Sequence, residues 1–375
     1  MASTSVLAGL DLTKWSPKFL TEYIRKSGFE PYMGTSEDDI IQVKMDLQTS
    51  GFTIRIPLVG RLQGAGVTGN SPLSGNEEQL DQYYQDIAWD FYRHAMTVTK
   101  YDQEKSAVDL VGQFRPSLKN WAAEMHKYQI IDCLHTTSGG LKFSASDATA
   151  RNLWMNNNAD RVLFGATVAN AVSGVHATAL ALVDNTDDKL STPIASQARF
   201  MARTANPHIR PYKTEDGREF YVMFCNPLAF RDIKRDSAMI QANRDARPRD
   251  VANNPLFQDG DLIYDGIIFR EIPEFYQPRV GDTATLPNPE TTFNNTTPIQ
   301  VCANFLCGAQ ALGKVMKQAP MPTVKSEDDY GFVKGVGIEM AHNYSKLRWN
   351  NAGTPNNAGT VKDVGIVTVY TAAVA

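Results

Sequence analysis

The chain has 375 residues, of which 42% are hydrophobic and 21% charged. This is ordinary globular usage, which excludes a disordered polyelectrolyte, and at roughly 150 residues per domain it allows two or three domains, or one large one with insertions. The 37 basic and 41 acidic residues give a formal charge of −4, which argues against a dedicated nucleic-acid binder with a strongly basic field, while leaving a local basic face open.

Residues 1–37 read as an arm. Trp15, Phe19, Leu20, Tyr23 and Ile24 fall at helical spacing before Gly28, Pro31 and Gly34 break the pattern. One apolar stripe cannot hold a core, so the arm must lie on the rest of the chain or on a neighbour. The opening residues show no basic n-region and no long apolar core, so a secretory signal is not expected.

Between Asp38 and Lys100 the period becomes two. Ile41–Leu47 and Phe52–Leu58 alternate apolar and polar residues, with Gly51 at a turn between them. Gly60–Gly75 is rich in Gly, Asn and Ser, and Ile87–Val98 is aromatic and β-capable. The pattern predicts one antiparallel β element with a long polar end, which something outside the segment must cover.

Gln103 to about Thr136 reads as helical, with Pro116 at the first position of a new helix roughly 30 Å long. Leu118, Trp121, Ala122, Met125, Tyr128 and Ile131 form its apolar stripe, and Ser138–Gly140 ends it. The uncharged run Val162–Val183 carries Thr167, Asn170, Ser173, His176 and Thr178, so it reads as a buried segment rather than a membrane span. Glu219–Cys225 predicts a buried strand, Pro227–Arg247 a helix, Leu262–Phe269 two short strands and residues 278–298 a loop. Val301–Gln318 reads as an apolar helix, and Phe332–Ala341 and Val364–Tyr370 as strands. The fold class is α+β.

Catalytic and cofactor motifs do not hold up in context. Gly64–Gly69 spells G-x-G-x-x-G, but Asn70–Gly75 cannot open the helix whose amides would meet a pyrophosphate. Gly308–Lys314 has phosphate-loop spacing but ends in Val315, where a magnesium-binding hydroxyl is needed. Asp259–Asp261 and Asp265–Gly266 lack the calcium-loop pattern and read as turns. The six histidines form no metal pair, and His208 reads as part of a kinked loop. The four cysteines complete neither a disulfide scaffold nor a metal site, and read as buried reduced thiols. No cofactor and no metal are expected.

Several stretches, in order along the chain, resemble the major capsid proteins of tailed bacteriophages, in the subfamily of large podophage coat proteins. They are Gly66–Glu78, Asn206–His208, Asn254–Phe257, Gly308–Leu312, Asp329–Gly331 and Lys362–Val367. The opening residues and segment 278–298 carry no part of the resemblance. It implies the Hong Kong ninety-seven type capsid fold, with 1–37 as N-terminal arm, 38–100 as extended loop, and 101–165 as a peripheral domain with a spine helix. Residues 166–324 would be the axial domain, and 325–375 the return strands of the peripheral domain. The extended loop is long, so its tip could form a small subdomain.

It also implies a non-enzymatic shell protein assembling with identical copies into pentamers and hexamers. Scaffolding, portal and decoration proteins would be partners, packaged double-stranded DNA would be contacted non-specifically, and no membrane would be involved. Assembly would occur in the bacterial cytoplasm and the product would be the virion capsid. Candidate assembly residues are Trp15, Phe19 and Tyr23 in the arm, and Arg61, Leu62, Gly66, Gly69, Leu73, Glu77 and Glu78 in the loop, with Arg61 and Glu78 as a charge pair bridging subunits. Intrachain packing of the arm aromatics and simple loop flexibility are the alternatives for these residues. A cytoplasmic enzyme or nucleotide-binding protein using Gly64–Gly69 or Gly308–Lys314 is the rival function, and another virion part, tail or collar, a third.

Overall fold

The computed structural model describes residues 29–45, 53–59, 62, 64, 66–70, 72–78, 82–105, 110–171, 174–214, 217–245, 262–275, 301–325, 329–350 and 361–372. In chain order these begin with β1 (Met33–Gly34), β2 (Ile41–Met45), β3 (Thr53–Val59), β4 (Gln82–Ala88) and β5 (Asp90–Thr99), then helices α1 (Lys100–Lys105) and α2 (Leu110–Leu134). Next come α3 (Ala148–Asn157), β6 (Val162–Phe164), α4 (His176–Ala181), α5 (Thr192–Thr204), β7 (Tyr212–Lys213), β8 (Glu219–Cys225), α6 (Pro227–Arg235) and α7 (Ser237–Asp245). The remainder is β9 (Leu262–Tyr264), β10 (Ile267–Glu271), β11 (Val301–Cys307), β12 (Leu312–Val324), β13 (Val333–Lys346), β14 (Arg348–Asn350), β15 (Val361–Asp363) and β16 (Ile366–Ala372). Among the described residues no helix is long and apolar enough to cross a membrane.

The larger sheet runs β6-β16-β11-β8-β10-β9, with β7 on β8. Its central strands are buried on both faces, and alternation divides their side chains between two cores. Val222 and Phe224 of β8 pack with Phe305, Tyr370, Trp154 and Leu134 on one side. Tyr221, Met223 and Cys225 pack on the other with Ile194 and Met201 of α5 and Phe230 and Ile233 of α6. The second sheet runs β1-β2-β12-β13-β5. Helix α2 lies on it, burying Leu118 and Ala122 against Ile338 and Met340.

Four sequence expectations need correction. Val301–Gln318 is not a helix but β11, a turn and the start of β12. Every β11 residue is buried, because the strand lies between β8 and β16. A run apolar on both faces carries no period that separates such a strand from a helix. The described parts of Ile41–Leu47 and Phe52–Leu58, strands β2 and β3, do not pair with each other. Strand β2 runs parallel to β12, while β3 pairs with β4; alternation shows which residues share a face, not which strand lies beside them. Pro116 lies inside α2 rather than at its first position. Finally, Pro227–Arg247 is broken at Asp236, whose carboxylate accepts both the amide and the hydroxyl of Thr192 at 2.7 Å and the Ala238 amide at 3.1 Å.

Candidate assembly interface

The hairpin β3–β4 is rooted on its own chain. Ile56 and Ile87, diagonal neighbours on one face whose direct partners are Gln85 and Ile54, are buried against Val315, Leu347 and Val364. Gln85 seals the joint: its amide donates to Ser345 Oγ at 2.7 Å and to the Lys346 carbonyl at 2.9 Å, and its carbonyl accepts the Arg348 amide at 3.0 Å. The expected cover from outside the segment is found at the root, and it comes from later residues of the same chain. The period-two pattern did identify the buried face; it could not say that β12 and the segment after β13 would fill it.

Outward from the root the cover ends. Val59, Leu62 and Leu73 are 57%, 61% and 64% exposed, so apolar side chains stand in solvent at the end of a two-stranded ribbon. Across the ribbon Arg55 and Asp86 are direct partners, joined at 2.8 and 3.0 Å, and the guanidinium lies 3.9 Å above the Tyr84 ring. That hydrogen-bonded guanidinium holds the Asp86 carboxyl below the usual carboxylate range. The pair sets local register but is too exposed to add much stability.

The connection between β3 and β4 is shaped by carboxylates. Glu78 accepts the Gly64 amide at 2.6 Å, and Glu77 accepts the Gly75 amide at 2.7 Å. Gly66 and Gly69 take φ of 73° and 72°, the left-handed region that glycine enters without strain. An acidic side chain thus occupies the Gly64 amide, where a dinucleotide would need to place a phosphate. The structure brings Glu78 to Gly64, whereas Trp15, Phe19, Tyr23 and Arg61 lie outside the described residues.

The other glycine motif is spent on structure. Amides of Gly308, Ala309, Gln310 and Ala311 donate to the carbonyls of Gly365, Arg210, Asp39 and Ile40, leaving none of them to cradle a phosphate. Lys314 is buried in β12. Asp265–Gly266 forms the two-residue turn of the β9–β10 hairpin, with φ of 46° and 68°. All four cysteines are free and buried.

Sequence reasoning missed the charge cluster behind the hairpin root. Asp363 meets Lys346 Nζ at 3.0 Å and Arg348 Nε at 3.4 Å, and all three side chains are under a tenth exposed. Trp154 Nε1 donates to the same carboxylate at 3.1 Å, and Arg161 donates to the carbonyls of Asp363 and Pro207. Burial works against the Asp363 carboxylate, but the two neighbouring cations outweigh it and hold its pKa below the ordinary value. The cluster ties β13, β14 and β15 to α3. The only sequence signal was Lys346 and Arg348 two apart, on one face of an extended chain.

Residues 3–375 match the family of phage capsid proteins. The chain belongs to that family. Its members are structural proteins of the phage capsid, in accord with the resemblance read from the sequence. A major capsid protein of Pseudomonas phage KPP25 is 26% identical, over 96% of this chain and 95% of its own length. The cyanophage Pam1 capsid structure is 30% identical with a TM-score of 0.78, covering 93% of each chain. The capsid of Ralstonia phage GP4, 21% identical over 92% of this chain and 91% of its own, shares the fold with a TM-score of 0.66. The fold of this capsid-family chain is the Hong Kong ninety-seven type.

Proposed function

We propose that the chain is the major capsid protein of a tailed phage, and that identical copies assemble into the pentamers and hexamers of an icosahedral shell around packaged double-stranded DNA. The observation that carries this is the ribbon β3–β4, buried at its root and bare beyond it, with Val59, Leu62 and Leu73 exposed. Apolar side chains on a two-stranded ribbon are poorly stable in water alone, and a second subunit supplies the missing cover. Such a contact joins different surfaces on the two copies, so it repeats head to tail and closes into rings. Obligate interfaces of this kind bury about 2,000–5,000 Å².

The contact set is the loop residues Arg61, Leu62, Gly66, Gly69, Leu73, Glu77 and Glu78, with the arm aromatics Trp15, Phe19 and Tyr23. The role is structural, with no chemical step. A net charge of −4 limits repulsion among many copies and suits an inner surface that confines DNA without reading it. Scaffolding, portal and decoration proteins complete the partners, and assembly takes place in the host cytoplasm.

Sedimentation velocity of the full-length chain, made alone and with a co-expressed scaffold, tests this. Shells, or discrete pentamers and hexamers, are expected. A monomer at every concentration in both preparations would refute it.

A further inference from the structure

Where α2 lies on β13, two buried imidazoles meet face to face. His126 of the helix and His342 of the strand stack with centroids 3.7 Å apart and planes 16° from parallel. His342 Nε2 lies 2.6 Å from Gln129 Oε1, so this nitrogen carries the proton and donates. His342 Nδ1 is then a bare lone pair, buried without a hydrogen-bond partner. His126 Nδ1 lies 2.7 Å from the Tyr344 hydroxyl, and Tyr92 of β5 closes over His342 with centroids 4.9 Å apart. Lys314 of β12 is buried with its ammonium 5.5 Å from the Tyr344 ring centre.

The groups facing His342 are thus His126 and Gln129 from α2, Lys314 from β12, Tyr344 from β13, and from β5 both Tyr92 and Asp90, its direct cross-strand partner. The acids on those elements are turned to other work. Asp132 pairs with Lys142 at 2.9 Å, Glu339 accepts from Gln318 at 3.0 Å, Asp90 accepts the Phe91 amide at 2.7 Å, and Glu124 is exposed. Among the described residues, no carboxylate pairs with His342 or with Lys314.

We propose that His342 is an acid-operated latch, and that proton uptake at its Nδ1 frees α2 from the β12–β13–β5 sheet. The added N–H would face no acceptor, and the new cation would lie against a second imidazole with Lys314 already buried alongside. The closed joint therefore excludes the proton, while an opened joint, with the ring in water, takes it up near the ordinary imidazole value of about 6.5. Burial first, and Lys314 second, push the closed-state pKa down to about 3. Between those limits opening binds one extra proton, so its equilibrium constant rises about tenfold for each pH unit of acidification.

Hydrogen exchange of the α2 amides in the full-length chain, measured from pH 7.5 to 2.5 and corrected for intrinsic rates, tests the latch. The opening constant is expected to rise at least tenfold per pH unit below about 6.5. His342→Phe keeps the ring and removes the proton site, and should reduce that slope by about one decade per unit. Lys314→Met removes the neighbouring cation, and should shrink the total rise between pH 6.5 and 2.5, a range that spans the closed-state value of about 3. A flat wild-type profile, or a His342→Phe variant with the wild-type slope, would overturn the proposal. Should His342→Phe fail to fold, an unchanged total rise in Lys314→Met would overturn it instead.

Discussion

Replacing Asp363 with Asn removes one negative charge and almost no volume. Lys346, Asp363 and Arg348 have side-chain exposures of 0%, 2% and 8%, so two cations would remain buried without their carboxylate. Stranding a buried charge in this way costs about 3–5 kcal/mol, a large share of a domain stability of about 5–15 kcal/mol. The exposed Arg55–Asp86 pair, at 60% and 26%, sets the contrast, since Asp86→Asn should cost less than about 1 kcal/mol. Urea unfolding followed by tryptophan fluorescence suits both variants, because Trp154 bonds directly to Asp363. Adding Lys346→Met to Asp363→Asn removes one stranded cation, so the double variant should be more stable than the sum of the two single losses by about 0.5–3 kcal/mol. Equal losses for Asp363→Asn and Asp86→Asn, or strict additivity in the double variant, would refute the claim that this cluster is a mutually dependent unit.

Three further outcomes follow from the packing. Ile56→Ala empties a buried position at the hairpin root and should cost about 2–5 kcal/mol by the same unfolding assay, with losses below 1 kcal/mol showing that the root is not anchored. Gly308→Ala should abolish soluble expression, because a Cβ there falls on the Arg210 backbone carbonyl; wild-type yield and melting temperature would contradict that geometry. His176, its pKa pushed down to about 3 mainly by burial and secondarily by Arg151, binds its proton in the unfolded chain near 6.5 but not in the folded one. Stability should therefore fall as pH drops below about 6.5 and level off near 3, and in His176→Phe the denaturant midpoint should shift less between pH 7 and 5 than in wild type.

How much of this was legible depended on whether a segment has two unlike faces. The stripe Leu118, Ala122 and Ile131 of α2 announced its helix and its buried side, and both were found. Glu219–Cys225, flanked by polar residues and Pro227, was long enough for a strand and too short for a buried helix. Val301–Gln318 has no polar face, so the period vanished and a helix was read where two strands lie. The residues that cover the hairpin root were hidden for another reason: Ile56 and Ile87 meet Val315 and Leu347, more than 220 residues later in the chain. Separations of 209 and 261 residues likewise hid Asp363 from Trp154 and Lys346 from the hairpin's Gln85. The exposed end, by contrast, was readable from glycines and polar residues between alternating runs, because turn chemistry is local.

In the assembled shell, the bare end of the hairpin should find its cover on another copy. All four native cysteines are buried, so Leu73→Cys places a single accessible thiol on the loop, where Leu73 is exposed. Carrying a photoactivated cross-linker on that thiol, assembled protein should yield covalent dimers and higher ladders, with links running from the loop to a different subunit. Links confined to the same chain, with no ladder from assembled material, would contradict the claim.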